Sequence, residues 1–226
     1  MTGSTPGRWA RLTWRAADPA ATATALGHRL GLTAAALEYG AWRLNLGGEP
    51  LDVLPWRRDG TPDEPVPDGR LAFEPLDRVV PVPELVADTP LSLAAIVWAT
   101  VDLGRAEAEL DPWLLPANPA SGDGVAPMDR LLGAVVRRRR TAALPGGLLL
   151  LAEPSTEGRL AASLARDGEG PCALLLAPSA GLRRWLANAR ARGVRVGPRR
   201  AGPLGHARLL PGPGVAGPHL IVVDPG

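Results

Sequence analysis

His206 and His219 are the two side chains best suited to acid–base or metal chemistry. They flank a loop rich in Gly and Pro, and their midpoint falls between Gly212 and Pro213. A regular hairpin would therefore place them opposite each other, with His219 on the same face as Ile221. Two imidazoles could hold a metal ion or serve as acid and base. The alternative is a solvated pair at a sheet rim, because two ligands without a nearby carboxylate make a weak metal site.

Cys172 and Glu169 are the next candidates for chemistry. Cys172 is the only cysteine, and no cation or base beside it in the sequence would lower the thiol pKa as a nucleophile requires. A buried, unreactive thiol is therefore the favoured interpretation. Glu169 lies in a Gly-Glu-Gly segment, where it is either a turn residue or a catalytic acid.

The densest charge cluster is the run Arg137 to Arg140. In a strand, alternate side chains point to opposite faces, so Arg137 and Arg139 would share one surface. Paired guanidinium groups match phosphate oxygens, which makes phosphate or CoA binding one hypothesis. Protection of an exposed sheet edge is the other.

Length and composition limit the classes of protein. The 226 residues allow one large domain or two small ones, and 46% hydrophobic with 21% charged residues is a globular composition. The 27 Gly and 25 Pro predict frequent turns and short regular elements. The 25 basic residues, all Arg, are interspersed with 23 acidic ones, so no basic surface for nucleic acid is predicted.

The sequence also predicts where the protein resides. No apolar run resembles a signal-peptide core or reaches the length of about 18 residues that a membrane span needs. We therefore expect a cytoplasmic protein with no membrane partner. A single cysteine allows no internal disulfide.

Three segments share one pattern: an apolar strand, a capping Asp or Ser, and an Ala- and Leu-rich helix. The strands begin near residues 12, 95 and 173, and the capping residues are Asp18, Asp102 and Ser179. Short runs with strand character follow each helix, including residues 194–196 in the third segment. The sequence thus predicts three β-α-β-β-β units, with linkers at 57–69 and 77–92 and an extra strand in the RLAFEPL stretch between them.

Residues 146–225 resemble the vicinal oxygen chelate superfamily, which includes glyoxalase I, methylmalonyl-CoA epimerase, extradiol dioxygenases and bleomycin-binding proteins. The resemblance rests on a strand ending in Glu-Pro, a linking helix, Gly-Glu-Gly, and the closing hairpin GPLGHARLLPGPGVAGPHLIVVDP. It implies an α+β fold in which curled mixed sheets form a cup with helices on the convex side. The implied organisation is a degenerate unit at 8–75 and a glyoxalase-like domain at 94–226, with units 94–153 and 170–226 and an insertion at 111–127.

Enzymes of that superfamily bind a divalent metal inside the cup, and the resemblance implies where its ligands would lie. The corresponding positions are Ala173, Ile221, Ala95 and Leu150, none of which carries a donor atom. We therefore expect no metal and no other cofactor. In the first unit the same mapping gives a cross-strand ion pair, Arg11 with Asp52.

The inward faces of these strands are apolar. The residues predicted to line the cup are Ala95, Leu150, Cys172, Ala173 and Ile221. They form either a filled core or a dry pocket for a small apolar or aromatic molecule. Trp14, Trp98 and Trp185 recur in the three units and are predicted to be core residues.

Three functions remain open at this stage. The first is a metal-independent protein of this fold that binds a small apolar or aromatic molecule. The second is an isomerase, lyase or epimerase acting on a small acid or CoA thioester through His206, His219 or Glu169. The third is a scaffold that forms a homodimer, because three units leave one unpaired.

Overall fold

The computed structural model describes residues 8–55, 69–80, 89–118, 124–141, 147–211 and 218–224. Most of the two predicted linkers, part of the predicted insertion and most of the loop between His206 and His219 lie outside these residues. The described chain forms two curled mixed sheets and four α-helices.

The first sheet contains the N-terminal unit and one added strand. Its elements are β1 (Arg8–Ala16), α1 (Pro19–Leu30), β2 (Ala35–Ala36), β3 (Trp42–Leu46), β4 (Glu49–Pro55) and β5 (Arg70–Val80). The strand order is β2-β3-β4-β1-β5. Asp18 begins α1 by accepting a hydrogen bond of 3.0 Å from the N–H of Ala21, and Gly31 ends it in the left-handed conformation.

The second sheet has eight strands. Its elements are β6 (Leu91–Ala99), α2 (Leu103–Leu110), β7 (Gly124–Asp129), β8 (Ala134–Arg140), β9 (Leu148–Pro154), α3 (Arg159–Asp167), β10 (Gly170–Pro178), α4 (Leu182–Ala191), β11 (Arg200–Gly202), β12 (Gly205–Leu210) and β13 (His219–Asp224). The strand order is β11-β12-β13-β10-β6-β9-β8-β7. The first strands of the two units, β6 and β10, pair antiparallel at the centre.

All three units have the same connectivity. The first strand runs parallel to the last in each: β1 with β4, β6 with β9, and β10 with β13. This confirms the predicted β-α-β-β-β pattern, and β5 confirms the predicted extra strand. β5 pairs antiparallel with β1, in the same way that β10 pairs antiparallel with β6.

Two apolar clusters divide the core. The shared cluster joins the helix side of the first sheet to the convex side of the second; α1, α2 and α4 pack into it through residues such as Leu26, Leu103 and Trp185. The concave cluster lies inside the second sheet and includes Leu160 of the linking helix α3. Alternation along each strand sends neighbouring residues into different clusters, as Leu150 and Leu151 show.

Three local predictions are wrong. Residues 194–196 form no strand, and the short edge strand of that unit is β11 instead. Ser179 does not cap α4: the N-cap is Gly181, and the Ser179 hydroxyl donates to the carbonyl of Thr89. His206 pairs with Asp224 rather than with His219, because the hairpin register places Leu210 opposite Leu220 and leaves His219 beyond the last pair of the ladder.

Candidate functional site

The five predicted pocket residues lie together on the concave face of the second sheet. Ala95, Leu150, Ala173 and Ile221 are at most 1% exposed, and Cys172 is 7% exposed. All five belong to the concave cluster. The strand register brings them together, since β6, β10, β9 and β13 are neighbours.

Larger side chains pack over these five residues on the concave face of the second sheet. They come from the β7–β8 turn, α3 and β12: Leu131, Leu132, Leu160 and Leu209. The cavity that remains beside Ala173 and Ile221 has a volume of only about 10 Å³. That is room for roughly one water molecule, so the geometry favours the filled core over an open pocket.

The side chains at the implied ligand positions of the cup cannot coordinate a divalent metal. Ala95, Leu150, Ala173 and Ile221 offer only hydrocarbon side chains where the superfamily pattern needs oxygen or nitrogen. Within the described ranges, no three His, Cys, Asp or Glu side chains come close enough to hold an ion.

The structure does not bring His206 and His219 together. His206 lies opposite Asp224 at one end of the hairpin, and Asp224 is five positions along β13 from His219. At about 3.3 Å per residue the two histidines are about 17 Å apart along the sheet. No shared metal or acid–base pair follows from this arrangement.

His219 lines the small cavity of the concave face together with Arg159. Its Nε2 lies 3.3 Å from the Oγ of Ser163, a residue of α3 that is 2% exposed. Burial lowers the pKa of His219 below its usual value, so the imidazole is neutral at pH 7. The contact joins α3 to β13, and the cavity leaves no room for a substrate beside it.

Cys172 and Glu169 are both held in structural environments. Burial raises the pKa of the Cys172 thiol to about 12, which keeps it protonated. Glu169 accepts hydrogen bonds of 2.7 Å from the N–H of Val101 and from the hydroxyl of Thr100. The Val101 hydrogen bond lowers the pKa of Glu169, so the side chain is a carboxylate and not an acid at neutral pH.

Arg137 and Arg139 share a face of β8, as predicted, and both pair with Glu107 of α2. Arg139 is 8% exposed and also donates to the carbonyl of Leu115, at 3.1 Å. Two guanidinium groups are thus already bound to one carboxylate, and they fasten α2 to the sheet.

The concave face of the first sheet carries a charge ladder, defined here as Arg43, Asp52, Arg11, Glu74 and Arg15. Arg43 binds Asp52 through two hydrogen bonds of 2.6 and 2.8 Å. Arg11 lies 3.7 Å from Asp52, which confirms the predicted ion pair, and 2.8 Å from Glu74. Arg15 pairs with the other oxygen of Glu74. Charges therefore alternate across four adjacent strands.

A larger opening, the aromatic cleft, lies between the edge of the first sheet and the second sheet. Its volume is about 400 Å³, and the residues that line it are Arg15, Arg70, Leu71, Ala72, Phe73, Trp98, Trp113, Glu169, Gly170 and Pro171. Phe73 stacks on Trp98 with ring centroids 5.9 Å apart and an interplanar angle of 12°. Trp113 meets Phe73 edge-on at 6.5 Å.

Sequence reasoning did not find this cleft. Phe73, Trp98 and Trp113 come from three separate segments, and only the packing of β5 beside β10 brings them to one opening. Trp14 and Trp185 are core residues, 5% and 3% exposed, as predicted. Trp98 differs because it is half-buried and faces the cleft. The only signal in the sequence was Phe73, the single Phe of the chain, within the predicted extra strand.

Two solved structures have a fold similar to that of this chain. Methylmalonyl-CoA epimerase from Mycobacterium tuberculosis matches with a TM-score of 0.51 and 19% identity, over 63% of this chain and 94% of the epimerase. A mutant of 4-hydroxymandelate synthase from Streptomyces coelicolor matches with a TM-score of 0.57 and 13% identity, over 96% of this chain and 92% of the synthase. The chain has the vicinal oxygen chelate fold. At these identities the likeness concerns the fold alone.

A variant of methylmalonyl-CoA epimerase from Streptomyces coelicolor, solved in complex with 2-nitronate-propionyl-CoA, matches with a TM-score of 0.42 and 23% identity, over 57% of this chain and 92% of the epimerase. No family model and no curated protein matches the sequence. Among the described residues, no helix has both the length and the apolar character needed to span a membrane.

Proposed function

We propose that this protein binds a small apolar or aromatic molecule without a metal, and that the aromatic cleft is where it binds. The proposal is supported by the difference in volume between the cup cavity and the aromatic cleft. The cup cavity holds about 10 Å³, whereas the aromatic cleft holds about 400 Å³ and is lined by three aromatic side chains. Small-molecule sites are typically about 300 to 1,000 Å³ and rich in aromatic residues.

The arrangement of the rings supports a planar ligand. Phe73 and Trp98 already stack nearly parallel, and Trp113 stands perpendicular to Phe73. A further ring could stack on an indole face or meet an indole edge, the two geometries that aromatic pairs prefer. All three side chains are half-buried, so a ligand would gain apolar contact without first unfolding the core.

Calorimetric titration with neutral planar aromatic compounds, such as indole and naphthamide, tests the proposal. We expect saturable binding that is the same in excess chelator and in added divalent metal. Trp98→Leu should weaken it about tenfold, because one stacking surface is lost. Trp42→Leu is the matched control, since Trp42 is also half-buried but lies on β3, outside the cleft.

Two results would overturn the proposal. One is binding that requires a divalent ion. The other is binding that Trp98→Leu and Trp42→Leu weaken equally, since the cleft would then have no special part in it.

A further inference from the structure

Two arginines face each other at the aromatic cleft. Arg15 of β1 and Arg70 of β5 are direct partners in the antiparallel register, and both line the cleft. Partners of this kind have Cβ atoms about 5 Å apart, and like charges so placed destabilise the pair of strands. The register therefore places two positively charged residues side by side at the aromatic cleft.

The charges around this contact are unevenly compensated. Arg15 pairs with Glu74 and donates a hydrogen bond of 3.0 Å to the carbonyl of Pro55. Glu169, the acidic residue of the cleft lining, is occupied by Thr100, Val101 and, at 2.5 Å, by Arg105. Arg70 is exposed, and within the described part of the chain it has no ion-pair or hydrogen-bond partner. The lining thus carries one uncompensated cation beside three aromatic rings.

We infer that the ligand of the aromatic cleft is an aromatic carboxylate whose anionic group is bound by Arg70. This inference rests on the proposed function and specifies its ligand class. The guanidinium fork matches the two oxygens of a carboxylate, and a bound anion would also relieve the repulsion between Arg70 and Arg15. The ring of the ligand would contact the aromatic group formed by Phe73, Trp98 and Trp113.

The test compares naphthoate with naphthamide, which has nearly the same shape but no charge. Each is titrated calorimetrically into the native protein, Arg70→Gln and Arg183→Gln. Arg183 is an exposed residue of α4 outside the cleft lining, so its variant removes one positive charge elsewhere. We expect the native protein and Arg183→Gln to bind naphthoate about tenfold more tightly than naphthamide, and Arg70→Gln to bind the two equally. Added salt should weaken only naphthoate binding.

A second measurement separates an anion site from a structural role of Arg70. Without ligand, Arg70→Gln should melt no lower than the native protein, because the substitution removes a like-charge contact. A lower melting temperature would overturn the inference, as would equal affinity of the native protein for naphthoate and naphthamide. If naphthamide binds in the cleft and naphthoate has no advantage, the inference fails while the proposed function stands. If neither compound binds, both fail.

Discussion

The concave faces of the two sheets have opposite chemistry, although the connectivity of their units is the same. The first sheet presents the charge ladder, in which the side chains of Arg11 and Arg43 are more than 40% exposed. The second sheet presents alanines and leucines that are almost entirely buried. The helix sides of both sheets are apolar and join in the shared cluster. Successive residues of a strand point to opposite faces of the sheet. The concave face can therefore be charged or apolar while the residues on the helix side stay apolar.

The difference follows from what covers each face. In the second sheet, the β7–β8 turn and α3 bring Leu131, Leu132 and Leu160 over the small residues. Within the described residues the first sheet has no second unit, and β5 alone lies where a further β-α-β-β-β unit would begin. A face left open to solvent can carry charges whose partners are on neighbouring strands.

The largest effect is expected in the covered face. Leu150→Ala removes a side chain that is 0% exposed and leaves a cavity among rigid strands. We expect a loss of about 3 kcal/mol in the free energy of unfolding, measured by urea denaturation. A loss below about 1 kcal/mol would mean that the face is loosely packed, and the contrast between the two sheets would then be weaker than described.

A smaller effect is expected in the open face. Asp52→Asn keeps the shape of a buried carboxylate but removes the charge that binds Arg43 and Arg11. We expect a loss of about 1.5 kcal/mol, and less at high salt because both guanidinium groups are partly solvated. Glu38→Gln is the control, because it neutralises an exposed carboxylate of the same unit that forms no ion pair among the described residues. Equal stability of Asp52→Asn and the native protein would show that the ladder is only a surface arrangement.

The smallest effect is expected from pH. His219 has a pKa lowered by burial, so the folded state keeps it neutral while the unfolded chain protonates it near pH 6.5. The stabilisation is therefore complete above pH 6.5 and is lost as the pH falls from there toward the lower folded pKa. A hydrogen bond with the backbone of Arg159 and the charge of Asp167 oppose this lowering of the pKa, whereas the cations of Arg159 and Arg166 reinforce it.

Melting temperatures between pH 7.5 and 5 measure this effect. His219→Asn should show a shallower decline than the native protein, and His206→Asn, which changes an exposed residue of the same hairpin, should not. Identical pH profiles for all three proteins would contradict the role of His219 in the covered face.

Local signals account for most of the fold that could be predicted. Asp18, Gly31 and Asp102 define helix ends through contacts a few residues away, and strand alternation assigns Leu150 and Leu151 to different clusters. The pairing of Arg11 with Asp52 could also be predicted, because it depends only on the register of neighbouring strands. These features need no knowledge of how the two sheets pack.

The features that could not be predicted depend on distant contacts. Whether Leu160 fills the cup is decided by how the linking helix folds back onto it. The aromatic cleft needs Phe73, Trp98 and Trp113 to meet across two sheets, and the contact of Arg15 with Arg70 needs the register of a strand that follows a long connection. The hairpin that carries His206 and His219 places Leu210 opposite Leu220, a register that the symmetric spacing of the two histidines does not reveal.

The position of β5 beside β10 also affects what the sheets offer to other chains. A strand edge with free N–H and C=O groups invites another strand to add to it. Here β5 packs against β10, and β2 and β11 have only two and three residues. The remaining edge, β7, contains Pro127 and an irregular register against β8. Aggregation by strand addition is therefore disfavoured at every described edge, and self-association would have to use side-chain surfaces.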